Sequence, residues 1–255
     1  MLGRDEYGSF KADSVVFANE ENVRTEITAR SYDDGKTIVF EMEFPDGLEN
    51  CATTDENDII TSFPSFRVGN EYYNGTQPRG FISFNGAMLG SGAVVSSFDK
   101  DGMKNNLGSG LMDTSPLAIF NTKETVVMSS ASNFMTVNQK FDREESNLSY
   151  GIMGRVKSVP KGFSYEVIVS LSEGGASVAM DEWGQKLLDR YQKSKDVAFS
   201  DFTTNYLQYS TDNGAYYYYL TEENKTYVVF EREAREYHFS NSLTQSTHSY
   251  QLHDQ

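Results

Sequence analysis

Short apolar runs separated by turns dominate residues 14–171, and they constrain the fold more than any other feature of the sequence. The clearest pair, residues 25–30 and 37–44, flanks the turn 31–36 and predicts a hairpin. Further strands are predicted at residues 59–68, 80–84, 94–98, 117–120, 125–129, 134–141, 150–156 and 164–171. Strands at this spacing, with no helix between them, predict a mainly β protein built as an antiparallel β-sandwich.

The first helix is predicted at residues 178–193, after a break at Gly174 and Gly175. Trp183, Leu187 and Tyr191 recur at intervals of four residues, which places them on one stripe of a helix, and the opposite face is charged. Because Trp183 shares its stripe with apolar side chains, we expect it to pack against the sandwich and not to serve as a sugar platform.

An aromatic segment, NYLQYSTDNGAYYYY, occupies residues 205–219. Tyrosine favours strands, and the cluster Asp212-Asn213-Gly214 favours a turn or bulge. A strand with rings on both faces is either buried on both faces or buried on one and used on the other. The segment therefore predicts a buried aromatic strand or, because a tyrosine ring can stack on a sugar face, a binding strand.

Residues 206–227, YLQYSTDNGAYYYYLTEENKTY, resemble a junction found in glycoside hydrolases of the alpha-galactosidase and raffinose-synthase group. In that family the junction joins an N-terminal β-sandwich to the first strand of a (β/α)8 barrel, with a pattern like LGWCTWDAFY. Five residues match in kind, namely Leu207, Thr211, Ala215, Tyr216 and Tyr217. The chain departs from the pattern at residues 212–214, where the family has Trp-Asp and one residue fewer.

The resemblance implies a division of the chain into four parts. Residues 1–174 would form a supersandwich-like β-sandwich and residues 175–200 a linker helix region. Residues 201–227 would begin an incomplete (β/α)8 barrel, and residues 228–255, rich in Ser, Thr, Gln and His, would form a disordered tail.

The same resemblance implies where a substrate would bind. Barrel sites form at the C-terminal ends of the strands, so Asp212, Asn213 and Tyr216 are expected to contact substrate. An Asx turn beside a core tyrosine is the alternative interpretation of these three residues. The family's catalytic carboxylates lie on later barrel strands that this sequence lacks, so no catalytic residue is expected here.

The expected function is therefore that of an N-terminal, non-catalytic portion of a glycoside hydrolase acting on alpha-galactoside-type sugars. Its partner would be a carbohydrate, and the chain alone would be inactive. The alternative is a stand-alone carbohydrate-binding or protein-interaction β-sandwich in which the tyrosines form an exposed platform. Activity of the chain as an enzyme in its own right stays open on the sequence but lacks a supporting motif.

Composition argues against several other functions. A formal net charge of −15 opposes nucleic-acid binding, which needs clustered basic residues. The three histidines, His238, His248 and His253, all fall near the end, so no Ser-His-Asp mechanism is expected in the body of the chain. The single cysteine, Cys51, allows no intrachain disulfide and is predicted to be a small buried hydrophobe.

Cofactor and metal motifs are also incomplete. The glycine-rich residues 86–92 lack the third glycine of a dinucleotide-binding loop, so no cofactor is predicted. The sequence from Ser97 resembles the opening of a calcium loop, but Gly108 stands where a bidentate glutamate is needed, so no metal site is predicted. Neither a signal-peptide core nor a membrane-spanning stretch is apparent, which favours a soluble, cytoplasmic chain.

Overall fold

A computed structural model describes residues 1–53, 55, 57–68, 78–84, 93–99, 101–103, 107, 116–134, 136–142, 144–206, 220–222 and 225–226. The chain divides into two compact units, Met1–Gln192 and Lys193–Gln255. The predicted four-part division of the chain stays a prediction.

Strands are the main secondary structure of the described residues in the first unit, and one long helix follows them. In chain order the strands are β1 Leu2–Asp5, β2 Gly8–Ala18, β3 Arg24–Tyr32, β4 Thr37–Phe44, β5 Leu48–Glu49, β6 Ser65–Arg67, β7 Gly80–Phe84, β8 Ala93–Ser97, β9 Leu117–Phe120, β10 Thr125–Ser130, β11 Val137–Asp142, β12 Asn147–Ile152, β13 Ser158–Val159 and β14 Phe163–Ser172. Helix α1 follows at Ala176–Arg190.

Nine strands form one antiparallel sheet, here called the large sheet, in the order β1-β2-β3-β4-β14-β10-β9-β7-β8. Three more strands form the small sheet, in the order β11-β12-β6, and β13 pairs with β5. The long β14 is the fifth of these nine strands and so lies at the centre of the large sheet, bonded to β4 on one side and to β10 on the other. The mainly β, antiparallel architecture agrees with the predicted β-sandwich.

The face of the large sheet that packs against the small sheet is apolar and is here called the inner face. Its core combines large-sheet residues such as Phe81, Leu117 and Tyr165 with Leu148 and Ile152 of the small sheet, all less than 2% exposed. Successive residues of a strand point to opposite faces, so the alternating apolar positions of these strands supply this core. Burial of the apolar surface between the two sheets is the main stabilising term here.

The opposite face of the large sheet, here called the outer face, packs against α1. Trp183 and Leu187 of the helix contact a buried cluster that includes Val39 and Ile168, and Ala179 packs on Ala118 and Val127 of the sheet. The Trp183 indole Nε1 also donates a hydrogen bond to the Ser129 hydroxyl at 3.0 Å. The predicted packing role of Trp183 is confirmed, and α1 begins two residues before and ends three before the predicted bounds.

Most predicted strands have counterparts in the structure. The bounds of β4, β7 and β9 match the prediction, and the β3–β4 hairpin closes over the predicted turn. Strands β1 and β2 have no counterpart among the predicted strands, because most of their sequence is polar and only residues 15–18 form an apolar run.

The described residues of the second unit include two short helices, α2 Lys195–Ser200 and α3 Phe202–Asn205, and a hairpin of β15 Leu220–Glu222 and β16 Lys225–Thr226. Asp201 caps α3 by accepting a hydrogen bond from the Thr203 amide at 2.7 Å. The predicted aromatic strand and the tail from residue 228 lie outside the described residues. Within the described ranges, no helix has both the length and the apolar composition to cross a membrane.

Candidate functional site

The three substrate contacts predicted from the sequence, Asp212, Asn213 and Tyr216, lie outside the described residues. The structure therefore leaves that prediction untested. Candidate sites in the described part of the chain come from two other places, one on each face of the large sheet.

On the inner face, a cleft of about 360 Å³ is lined by residues of β2, β3, β4 and β5, of the β2–β3 turn and of the segment 60–61. It is here called the edge cleft, and its lining combines apolar side chains with three polar ones. The lining residues are Phe17, Ala18, Asn19, Val23, Thr25, Met42, Phe44, Leu48, Ile60 and Thr61.

Strand register explains why the edge cleft is apolar and open. Val15, Ile27, Met42 and Tyr165 lie directly opposite one another on successive strands, so all four share the inner face. Tyr165 at the centre is fully buried, whereas Val15 at the edge remains 51% exposed. The inner face is thus covered at β14 and uncovered at β2.

Phe17 is the most prominent side chain of the edge cleft. It lies two residues after Val15 on the same face, is 53% exposed, and pairs in register with Thr25. A half-exposed ring beside a hydroxyl can stack on a flat apolar partner while a neighbouring group forms a hydrogen bond.

The other polar groups of the edge cleft are held in place by hydrogen bonds. Asn19 accepts bonds from the Glu21 and Val23 amides at 2.9 Å through Oδ1, which orients its side-chain amide. The Thr61 hydroxyl accepts a bond from the Ile152 amide at 3.1 Å and lies 3.2 Å from the Tyr165 hydroxyl. Polar groups fixed by the fold are suited to recognition because little conformational entropy is lost when a ligand binds.

On the outer face, charged side chains meet beneath α1 in what is here called the charge cluster. The Arg30 guanidinium contacts Glu166, Glu41 at 3.3 Å and Asp5 at 3.5 Å. Arg190 of α1 contacts Glu166 from the other side at 3.4 Å. The Arg30 side chain is only 14% exposed and that of Glu166 6%, so these charges are largely shielded from water.

Burial and charge set the pKa values in the charge cluster. Burial alone would lower the pKa of Arg30, but the charges of Glu166 and Glu41 outweigh it and raise that pKa, so the guanidinium stays protonated. Burial raises the pKa of Glu41, and Arg30 opposes the rise. Tyr7, beside the cluster, has its pKa raised by burial and then by the charge of Glu166.

The charge cluster places two carboxylates side by side, because Glu41 and Glu166 lie opposite each other on β4 and β14. Glycoside hydrolysis needs two carboxylates that reach a substrate from either side. Glu166 fails this requirement because one of its oxygens bonds Arg30, the other bonds Arg190, and the side chain is nearly inaccessible. The arrangement instead ties α1 to the sheet.

In the described residues, neither Cys51 nor a metal-binding group of side chains forms a further candidate site. Cys51 is half-buried against the core, and its thiol donates to the Val156 carbonyl at 3.3 Å. Burial raises the pKa of the Cys51 thiol, which disfavours the reactive thiolate. Across the ranges that the structure describes, no group of three or more His, Cys, Asp or Glu side chains is arranged to hold a metal ion.

The sequence contains signals for both the charge cluster and the edge cleft. Glu166 interrupts an apolar strand, which indicates a buried charge, and Arg190 follows Leu187 by three residues on the apolar stripe of α1. For the edge cleft, the signal is the run Val15-Val16-Phe17 at the end of a strand. No local signal shows that Thr61 would lie nearby.

No protein-family model matches the chain, and no curated protein matches it. Similar solved structures include a protein described as an aldose 1-epimerase from Escherichia coli K12, with 11% identity, a TM-score of 0.30, and coverage of 65% of this chain and 69% of that chain. Another is the galactosidase domain of an alpha-galactosidase-sucrose kinase, with 13% identity and a TM-score of 0.27. The match covers 65% of this chain but only 28% of that one. TM-scores this low give the likeness no weight in assigning a function.

Proposed function

We propose that this chain is a carbohydrate-binding β-sandwich and that the edge cleft is its binding site. The observation that carries the proposal is the half-exposed Phe17 ring beside the Thr25, Thr61 and Asn19 side chains in one cavity. A sugar presents an apolar face edged by hydroxyl groups, and this lining offers a ring for the face and polar groups for the edge.

The size of the edge cleft supports a small ligand. Sites for small molecules usually enclose about 300–1,000 Å³, and the cleft, at about 360 Å³, lies at the lower end of that range. One or two sugar units suit such a volume better than a long chain does.

The finer proposal is that the sandwich serves as the N-terminal, non-catalytic portion of a glycoside hydrolase acting on alpha-galactoside-type sugars. The order of a β-sandwich, a helix packed on it and then an aromatic segment supports it. Shielding of Glu166 by two arginines leaves that carboxylate unsuited to catalysis. In this proposal Asp212, Asn213 and Tyr216 are further substrate contacts.

To test binding, the full chain is titrated with alpha-galactosides and with matched beta-galactosides, and the heat of binding is measured by calorimetry. We expect binding of the alpha-linked sugars, and we expect Phe17→Ala to weaken it by about 5-fold or more, since stacking on a ring contributes about 1 kcal/mol or more. Thr25→Val, which removes one hydroxyl, should weaken binding by a smaller factor. Absence of binding to any sugar tried would refute the proposal.

Phe199→Ala is the matched control, because Phe199 is also an exposed phenylalanine, at 67%, but belongs to α2 of the second unit. This variant should bind as the unaltered chain does. Equal losses in Phe17→Ala and Phe199→Ala would mean that the edge cleft is not the site. A hydrolysis assay on the same samples is expected to show no release of galactose.

A further inference from the structure

The outer edge of β2 is occupied along only part of its length in the described residues. β1 pairs with β2 from Gly8 to Lys11, and one more pair of bonds joins Met1 and Ala12, at 2.7 and 2.8 Å. From Asp13 to Ala18, β2 pairs with β3 on one side, and no described strand lies on the other.

The direction of the backbone groups follows from the Met1–Ala12 pair. Both the N–H and the C=O of Ala12 point toward β1, and this direction repeats at every second residue of a strand. Ser14, Val16 and Ala18 therefore direct their N–H and C=O groups to the open edge. Such a row of unpaired groups is a template for another strand.

The side chains along this open edge are apolar. Val15, Val16 and Phe17 are 51%, 57% and 53% exposed, and neither a charge, a proline nor a bulge interrupts residues 14–18. Soluble proteins usually protect an exposed edge with one of these devices. An edge that lacks all of them is suited to pairing.

We propose that the open edge of β2 pairs antiparallel with the same edge of a second copy of this chain, around a twofold axis at Val16. In this register Val16 lies opposite the partner's Val16, and Ser14 lies opposite the partner's Ala18. Ser14, Val16 and Ala18 of each copy then form about six backbone hydrogen bonds with the same residues of the other copy. A twofold axis makes the interface self-complementary, as in most homodimers.

The length of the open edge fits this register at both ends. The partner's Ala18 would lie opposite Ser14, which is two residues beyond the last residue that β1 covers. The chain turns immediately after Ala18, where the Asn19 amide bonds the Val23 carbonyl at 3.1 Å and Asn22 has φ 61°. The partner strand therefore ends before it meets β1.

Side-chain pairing in the register is favourable as well. On the inner face Val15 lies opposite the partner's Phe17, twice by symmetry, and on the outer face the two Val16 side chains meet. Asp13, at the end of the register, faces the partner's Asn19, so no two carboxylates lie directly opposite. The partner's Val15 would thus extend the wall of the edge cleft beside Phe17.

The first experiment measures the mass of the full chain in solution by sedimentation over a range of protein concentrations. We expect a dimer with twice the chain mass of 28.7 kDa that dissociates on dilution. Because each copy carries a net charge of −15, added salt should strengthen the dimer. A monomer at every concentration and salt level overturns the proposal.

Val16→Lys places two ammonium groups face to face across the axis and should leave the chain monomeric at concentrations where the unaltered chain is dimeric. Val95→Lys is the matched control, because Val95 is a 66% exposed valine on β8, at the other end of the large sheet. It should leave the dimer intact. A dimer that persists in Val16→Lys, or that is lost in Val95→Lys, overturns the proposal.

Cysteine crosslinking tests the register directly. Opposed residues in a bonded pair have Cα atoms about 5.5 Å apart, a separation that a disulfide spans. Under mild oxidation Val16→Cys should therefore form a covalent dimer, whereas Val15→Cys should not, because it faces the partner's Phe17. Crosslinking of Val15→Cys that equals or exceeds that of Val16→Cys excludes the register.

Discussion

The two faces of the large sheet achieve burial by different means. The inner face packs fully buried apolar side chains such as Leu117 against the small sheet. The outer face holds α1 through a smaller apolar contact around Trp183 and through the charge cluster of Arg30, Glu166 and Arg190. An apolar contact is non-directional, whereas a buried ion cluster is satisfied in only one arrangement.

This difference indicates what each face contributes. Apolar burial on the inner face supplies most of the stability, while replacing a buried ion pair by apolar residues is often neutral. The charge cluster is therefore expected to affect the free energy of unfolding most when one of its members is removed. It also fixes the position of α1 along the sheet, since Arg190 reaches Glu166 only in one register of the helix.

The largest effect is expected when the charge cluster loses its central member. Glu166→Ala leaves Arg30 and Arg190 without their shared carboxylate, and we expect a loss of about 3–5 kcal/mol in the free energy of unfolding. Urea unfolding followed by far-ultraviolet circular dichroism measures it. Asp13→Ala, which removes an exposed carboxylate from the same sheet, should change stability by less than about 0.5 kcal/mol. Equal effects of the two variants would mean that the cluster does not hold the outer face.

On the inner face, Leu117→Ala should lower the free energy of unfolding by about 3 kcal/mol, because it removes buried methyl groups and leaves a cavity. The loss should be the same at pH 5 and pH 8, since the side chain has no proton to gain or lose. Val95→Ala, at an exposed valine on β8, is the control and should change little. A loss for Leu117→Ala that depends strongly on pH would contradict the contrast between the faces.

Trp183→Phe should lower the free energy of unfolding by about 1–2 kcal/mol. The variant removes the indole N–H that bonds the Ser129 hydroxyl at 3.0 Å, together with part of the ring that packs on the outer face. Adding Ser129→Ala completes a double-mutant cycle, and unfolding in urea gives the coupling energy, expected near 1 kcal/mol. A coupling indistinguishable from zero would show that the hydrogen bond contributes nothing.

The smallest effect concerns Asp34, in the β3–β4 turn, which bonds Lys186 of α1 at 2.9 Å. Burial alone would raise the pKa of Asp34, but hydrogen bonds from the Thr37 hydroxyl, the Lys36 amide and the Lys186 ammonium together lower it to about 2. The unfolded value is about 3.9. Asp34 therefore stabilises the fold above about pH 4, and this stabilisation is lost as the pH falls toward about 2.

Lys186→Met should raise the pKa of Asp34 by removing one of these bonds and lower stability at neutral pH by about 0.5 kcal/mol, the usual size for a partly exposed pair. Titration of the Asp34 carboxyl carbon by nuclear magnetic resonance measures the pKa. An unchanged pKa in Lys186→Met would show that the turn alone sets it.

The sequence predicted the sandwich well because its apolar runs are local signals. Strands β4, β7 and β9 were predicted to the residue, and Trp183 was placed correctly by helical spacing. The sites could not be predicted in this way. Arg30 and Glu166 are 136 residues apart and meet only because β14 inserts beside β4, and no local pattern determines strand order.

The edge cleft shows the same limitation. Phe17 and Thr25 are neighbours through a hairpin that the sequence indicates only in part, while Thr61 reaches the cleft from a segment outside the large sheet. The predicted site at Asp212, Asn213 and Tyr216 rests on a resemblance and stays a prediction.

The position of Trp183 gives the molecule a built-in optical reporter. It is the only tryptophan among the 255 residues, and its indole lies between α1 and the outer face. Its emission therefore responds to the docking of one helix, while circular dichroism responds to the sheets. If the helix detaches before the sheets unfold, the emission will shift to longer wavelength at a lower urea concentration than the loss of strand signal, and the two curves will separate.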